Sequence, residues 1–389
     1  MATTTGFPRA LLTQSATERR AYFRACTIAH PHLAEVYRRL RTEITTVDPG
    51  TLIFVYGASG IGKTTLLQRI AQKVAEEMNP ALAEDVSRIP LVTIEALAPE
   101  TGNFNWKDFY RRLLLKLDEP CLNRKIIPWL QTAEYDEQKQ LLLGSRTAGT
   151  VFRHTAEQVL RHRRPVALCI DEAQHMANVT SGRRLQSQLD CIKSFSNLTG
   201  IPIVLCGHYE LLAFRNLSAQ LSRRSVDLHF RRYRADDEAE RQAFKNVVWS
   251  FACHLPLEET PDLVAQWDYL YERSLGCVGV LKLWLAKALA AALEDGGRHL
   301  TQRQLAETAL SLSRCEKLLT DLWDGESLLH EAPEAAQQLR GRLGLPGSAI
   351  NQPGTAHGTD AVAAPTPNKT KNLHPGKRHP QRDPIGTNP

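Results

Sequence analysis

None of the eight cysteines lies within three residues of another. They stand at Cys26, Cys121, Cys169, Cys191, Cys206, Cys253, Cys277 and Cys315. With no CxxC pair, a zinc ribbon or a disulfide scaffold is excluded. Scattered cysteines of this kind behave as small buried hydrophobes in a reducing compartment. Long apolar runs are missing too. The longest candidate, residues 284–293, is short of the ~18 residues of a membrane span and is interrupted by Lys287. No membrane partner is expected. The first residues, MATTTGFPRALL, hold no apolar core before a small-residue cleavage site, so export is not expected. A cytoplasmic protein is. Net charge is also low: the formal value is +6. Residues 345–389 carry five Lys/Arg against two Asp/Glu, which leaves only +3 for the body. That charge permits a nucleic-acid partner without demanding one.

What is present is a globular composition, 42% apolar and 23% charged over 389 residues. At roughly 150 residues per domain this suggests two or three folding units. Residues 345–389 contain eight of the 21 prolines, five glycines and almost no large apolar residue. Such a segment cannot offset the entropy of ordering and reads as a disordered basic tail. Residues 15–46 show helical spacing of apolar residues, with a break at Pro31. Residues 51–56, 91–94, 165–170 and 201–206 read as buried parallel strands, with helical patterns between them. Residues 209–221 read as a helix, followed by a strand-like stretch at 226–230. Beyond residue 235 strand signals stop, and residues 236–254, 260–274, 278–294 and 301–322 read as helices. The expected fold is α/β, a doubly wound parallel sheet with a C-terminal helical lid. The expected divisions are a lead-in at 1–46, an α/β core at 47–235, a lid at 236–344 and the tail at 345–389.

The strongest motif is Gly57-Ala58-Ser59-Gly60-Ile61-Gly62-Lys63-Thr64, a full GxxxxGK[ST] after a predicted strand and before a predicted helix, which makes the α/β core a P-loop NTPase and thus an expected ATPase. Glycines let backbone N–H groups face phosphates, and the helix N-terminus adds partial positive charge. Lys63 is expected to reach the β- and γ-phosphates of ATP, and Thr64 to hold Mg2+. Residues 57–65, through Thr65, form the candidate nucleotide cradle. The second motif is the apolar run 166–170 ending in Asp171-Glu172, a Walker B element. Asp171 would support Mg2+, and Glu172 would orient and polarise the attacking water. Three weaker signals follow. His208, after the strand 201–206, stands where AAA+ ATPases commonly place a residue that senses the γ-phosphate. Arg223 or Arg224 could act as an arginine finger across a subunit interface, with Arg231, Arg232 and Arg234 as nearby competitors. Lys282, in Gly276-Cys-Val-Gly279-Val-Leu-Lys282, could contact the nucleotide from the lid. A finger donated between subunits implies a homo-oligomer.

The ordered blocks GASGIGKTT, ALCIDEAQHM, VLCGHYELL, QLSRRSVDLHFRRY and GCVGVLKLWLAKAL, with the lead-in AHPHLAEVYRRLR, resemble the AAA+ transposition regulators TnsC and TniB, relatives of IstB and MuB. The resemblance covers roughly residues 15–320. It implies a DNA-associated prokaryotic ATPase that assembles as a ring or helical filament on double-stranded DNA. Such a protein links a target selector of the TniQ or TnsD type to a transposase, and hydrolysis drives disassembly. In CRISPR-associated transposons the selector works with an RNA-guided complex. The resemblance also places DNA contacts after the second strand, which here means Thr101, Asn103, Lys107 and Arg111. Arg146 and the pair Arg183–Arg184 are secondary candidates. Lys107 and Arg111 are four apart, so they share a helix face. Trp106, Phe109 and Tyr110 are expected to pack that helix rather than stack on bases. Two departures from the family pattern stand out: His208 and Lys282 replace commoner sensor residues, and the 108 positions from Lys63 to Asp171 require extra helices within 96–160. Two other readings stay open. One is a helicase loader or replication initiator of the same clade. The other is a nucleotide-gated signalling ATPase that ignores DNA. An ABC-transporter reading fails because no LSGGQ-like block precedes the Walker B element.

Overall fold

The computed structural model describes residues 6–48, 50–99, 102–119, 134–135, 141–142, 145–177, 182–215, 217, 225–296, 298–329, 333–343 and 345. Side chains at 134–135, 141–148, 182–183 and 333–336 also lie outside the description. The chain forms a large compact unit, residues 1–330, and a second unit from residue 331 onward. In the second unit the described structure centres on one helix, α14 (Pro333–Arg342).

The large unit opens with α1 (Ala16–Ala25) and α2 (Pro31–Thr46). Pro31 starts the second helix rather than simply breaking one. Its missing N–H is an orphan at that first position anyway, and the His30 side chain caps the turn by accepting from Leu33 N. Then come β1 (Leu52–Tyr56), α3 (Lys63–Glu84), β2 (Val92–Glu95) and α4 (Trp106–Lys116). A short antiparallel pair, β3 (Glu134–Tyr135) and β4 (Leu141–Leu142), precedes α5 (Ser145–Arg163). These elements account for the long interval between Lys63 and Asp171. β5 (Leu168–Asp171), α6 (Gln174–Ala177), α7 (Gly182–Thr199), β6 (Ile203–Gly207), α8 (Leu212–Arg215) and β7 (Ser225–His229) complete the α/β part. The expected helix 209–221 is described only as a 3-10 turn, Tyr209–Leu211, and the one-turn α8. Residues 218–224 lie outside the description.

The five long strands form one parallel sheet in the order β2-β5-β6-β1-β7. Side chains alternate between its faces with period two. Leu52, Phe54, Leu168, Ile170, Ile203 and Leu205 point into one core, shared with α4, α5 and α7. Ile53, Val55, Cys169, Val204 and Cys206 point into the other, shared with α2 and α3. Near-continuous apolar strands are what a sheet covered on both faces requires.

The helices after residue 235 are α9 (Glu238–His254), α10 (Trp267–Ser274), α11 (Val278–Glu294), α12 (Gln302–Thr308) and α13 (Leu312–Ser327). A third core, built on Phe244, Phe251, Leu281, Leu285 and Leu305, holds α9 to α12 together and takes in Phe23 of α1. The single helix expected over 301–322 is two. α12 ends at Thr308, Ala309 after it is extended, and a new helix begins after Ser311 and runs on to Ser327. Apolar spacing carries through the junction, so periodicity alone hides the break. The tail expectation for 345–389 falls on residues that, apart from Leu345, lie outside the description.

Candidate nucleotide-binding site

β1 sits between β6 and β7, with β5 beyond β6. The carboxyl ends of β1, β5 and β6 therefore open into one crevice, the usual ligand position in such sheets. After Tyr56 the chain turns through residues 57–62 and enters α3 at Lys63. Gly62 makes the entry at φ +115°, in left-handed space where a side chain would be strained. Lys63 is 6% exposed, and its Nζ donates to the carbonyls of Gly57 (3.0 Å) and Ala58 (2.8 Å). Burial pushes its ammonium below the ordinary value, while Cys206, Glu172 and Asp171 push it back.

The last residue of β5, Asp171, is 7% exposed. Its Oδ2 accepts from Thr64 Oγ1 at 2.8 Å, across 107 positions of sequence. Its Oδ1 accepts from the N–H of Glu172 at 3.0 Å. Glu172 adopts φ +50°, a left-handed conformation costing about 1 kcal/mol for a non-glycine residue. Non-glycine strain of this kind clusters at functional sites. His208 follows β6 and is half-buried. Burial and the Lys63 charge lower its pKa against the pull of Glu172 and Asp171, so the ring is neutral at pH 7.

One residue that the motif reading missed ties these pieces together. Gln174, buried at 5%, donates from Nε2 to Glu172 Oε2 (2.5 Å) and accepts at Oε1 from the N–H of His208 (3.1 Å). It lies so close to Gly207 that a Cβ there would sit 2.2 Å from its Oε1. A glutamine two residues past an acidic pair looks like an ordinary first-turn residue. Only the return of the chain beside β6 gives it a role.

The lid reaches the P-loop through its backbone. Val280 N–H donates to Gly60 O at 3.2 Å. Lys282 does not come to the P-loop. Its Nζ donates to the carbonyl of Arg24 at 2.7 Å, at the end of α1. The reason is helical geometry: two residues on from Val280 is about 200° around the helix. Arg223, Arg224 and Thr101 lie outside the described residues. The competing arginines are held within the chain. Arg231 pairs with Glu240 (3.3 Å), Arg232 with Glu326 (2.9 Å) and Arg234 with Asp236 (2.5 Å).

On α4 the aromatic residues pack inward: Phe109 and Tyr110 are buried, and Trp106 stacks on Tyr110 with centroids 5.5 Å apart. Arg111 is exposed and Lys107 half-buried, and neither forms an ion pair among the described residues. Arg112 is occupied by Asp108 at 2.7 Å. Arg184 NH1 reaches Asn103 Oδ1 at 3.4 Å, so α7 and the loop before α4 meet there. Arg146 belongs to α5, but its side chain lies outside the description.

A family model described as an AAA domain matches residues 47–214. Comparison with curated proteins gives no match. Among solved structures, Aeropyrum pernix ORC2 in its ADPNP–ADP complexes is similar at 16% identity, with 72% of this chain and 66% of that chain covered and a TM-score of 0.43. This chain thus spans just under two thirds of that protein. Aeropyrum pernix ORC1 in complex with DNA is similar at 15% identity, covering 79% and 70%, TM-score 0.49. Domain III of the Thermotoga maritima replication initiation protein DnaA is similar at 17% identity, covering 77% and 95%, TM-score 0.38. The P-loop, the sheet and the AAA domain match define an AAA+ P-loop NTPase fold.

Proposed function

We propose that this chain is an ATP-hydrolysing, DNA-binding AAA+ regulator that assembles on double-stranded DNA. Its block order suggests the transposition branch, in which it would link a target selector to a transposase. The observation that carries the ATPase reading is the 2.8 Å hydrogen bond from Thr64 to Asp171. It brings a P-loop hydroxyl and a strand-end carboxylate to one point, and both are hard oxygen donors of the type Mg2+ takes. When bound, Mg2+ would neutralise charge on the phosphates. Lys63 would leave the loop carbonyls for the β- and γ-phosphates. Backbone N–H groups at the start of α3 would cradle the anion. Glu172 would accept a proton from water as its oxygen bonds to the γ-phosphorus, with ADP leaving. His208, neutral at pH 7, would report on the γ-phosphate through hydrogen bonding rather than charge. An arginine from a second copy, Arg223 or Arg224, would complete the site.

Gln174 gives this reading its own test. It fixes the Glu172 carboxylate while leaving the P-loop alone. Gln174→Ala is expected to lower kcat for ATP hydrolysis about tenfold with little change in nucleotide Kd. If Kd and kcat fall together, Gln174 supports the fold rather than the glutamate.

DNA binding is expected on the surface formed by Asn103, Lys107, Arg111 and Arg184. Such contacts neutralise backbone phosphates and read no sequence. Removing charge at Lys107 and Arg111 together is expected to weaken binding equally for unrelated duplexes and to reduce the log–log salt slope by about two. Anisotropy titrations over a salt series measure both. An unchanged slope moves the DNA to another face.

A further inference from the structure

Helix α13 packs beside the first residues of the P-loop and His208. Its Leu318, Asp321 and Leu322 form one wall of a cavity of ≈ 90 Å3, whose other lining residues include Ala58, Ser59, His208 and Val280. Small-molecule pockets begin at roughly 300 Å3, so a whole nucleotide does not fit in this space. The helix is seated at three points. Leu322, 3% exposed, is part of the core that contains Ile61 and Cys277. Glu326 accepts from Arg232 Nε (2.9 Å) and NH2 (3.2 Å), with only 17% and 11% of the two side chains exposed. Gly325 presses on Tyr209, where a Cβ would stand 2.2 Å from ring carbons Cγ and Cδ2. Those carbons are the near end of a ring whose hydroxyl is fixed to His229 at 2.9 Å, so the ring cannot simply swing aside. Asp321, exposed and lining the same cavity as Ser59 and His208, carries the reverse of the charge a polyphosphate needs.

We infer that α13 is an autoinhibitory cover acting within its own chain. Docked as here, it closes the γ-phosphate end of the P-loop, and ATP binds once it has lifted. The inference rests on the nucleotide reading above. Apparent affinity then equals the intrinsic affinity multiplied by the open fraction, so loosening the helix tightens binding. Two substitutions in the full chain separate the effects. Gly325→Leu cannot keep the Tyr209 contact, and leucine favours the helix itself. Asp321→Asn keeps the packing and removes only the charge at an exposed position.

The test is titration of wild-type and both variants with fluorescent ATP and ADP analogues, together with hydrogen exchange over residues 312–327. Gly325→Leu is expected to bind the ATP analogue about tenfold more tightly. Asp321→Asn is expected to bind it about threefold more tightly, with a smaller change for ADP. Exchange over 312–327 in the wild type should rise at saturating ATP analogue. If Gly325→Leu does not fold, Asp321→Asn and the wild-type exchange decide the matter. Wild-type Kd values in the folded variants, or unchanged or slower exchange in α13 with analogue bound, would overturn the cover and leave the nucleotide reading standing. No binding by wild type or variants would overturn both.

Discussion

Lys63→Ala protein is expected to bind ATP at least 100-fold more weakly than wild type. Two charge-assisted hydrogen bonds to phosphate, each worth about 1.5 to 3 kcal/mol, correspond to that loss or more. Assembly on DNA should disappear with it. The substitution also strips the Gly57 and Ala58 carbonyls of their buried donor. An unsatisfied buried acceptor costs about 1 to 3 kcal/mol, so a lower melting temperature without nucleotide is expected as well. Isothermal titration with an ATP analogue, at a temperature where the variant is folded, separates the two effects. Near-normal affinity in folded Lys63→Ala protein would remove the P-loop from the account.

The second large effect is expected at Glu172. Glu172→Gln keeps the side-chain length and still offers an oxygen to Gln174 Nε2, so the local geometry survives. It cannot take a proton from water. Hydrolysis should fall by roughly 10² to 10⁴-fold, while ATP affinity stays within a few-fold of wild type. Assemblies on DNA should then persist in ATP instead of dispersing as it is consumed. Steady-state phosphate release and single-turnover kinetics measure the loss. Normal hydrolysis by this variant would assign the base elsewhere, and a matching loss of affinity would make Glu172 a binding residue.

Much of the α/β part was legible from local pattern. The run at 51–56 followed by GASGIGKT specifies a strand, a turn and a helix, because the glycines, the lysine and the apolar run each admit few other conformations. Asp171 was legible for the same reason, standing at the end of an apolar strand. Lys282 shows where this reasoning stops. Its place near the start of a lid helix was correct, but the face it occupies depends on which residue of α11 touches Gly60, and Val280 does. Gln174 was hidden because its partners are Glu172 beside it and the His208 amide 34 residues on. The break between α12 and α13 was hidden because Leu305, Leu312, Cys315 and Leu322 keep a helical spacing through it. Only Leu305 and Leu322 of these join a core, Leu305 in the lid and Leu322 against the P-loop, while Leu312 is exposed.

The central claim is that occupancy of the P-loop by ATP drives assembly on duplex DNA. Negative-stain electron microscopy of the full chain with duplex DNA tests it most directly, comparing a non-hydrolysable ATP analogue, ADP and no nucleotide. Rings or filaments on DNA with the analogue alone are the expected result. Nucleotide-dependent oligomers that form equally with and without DNA, and leave the DNA bare, would contradict it.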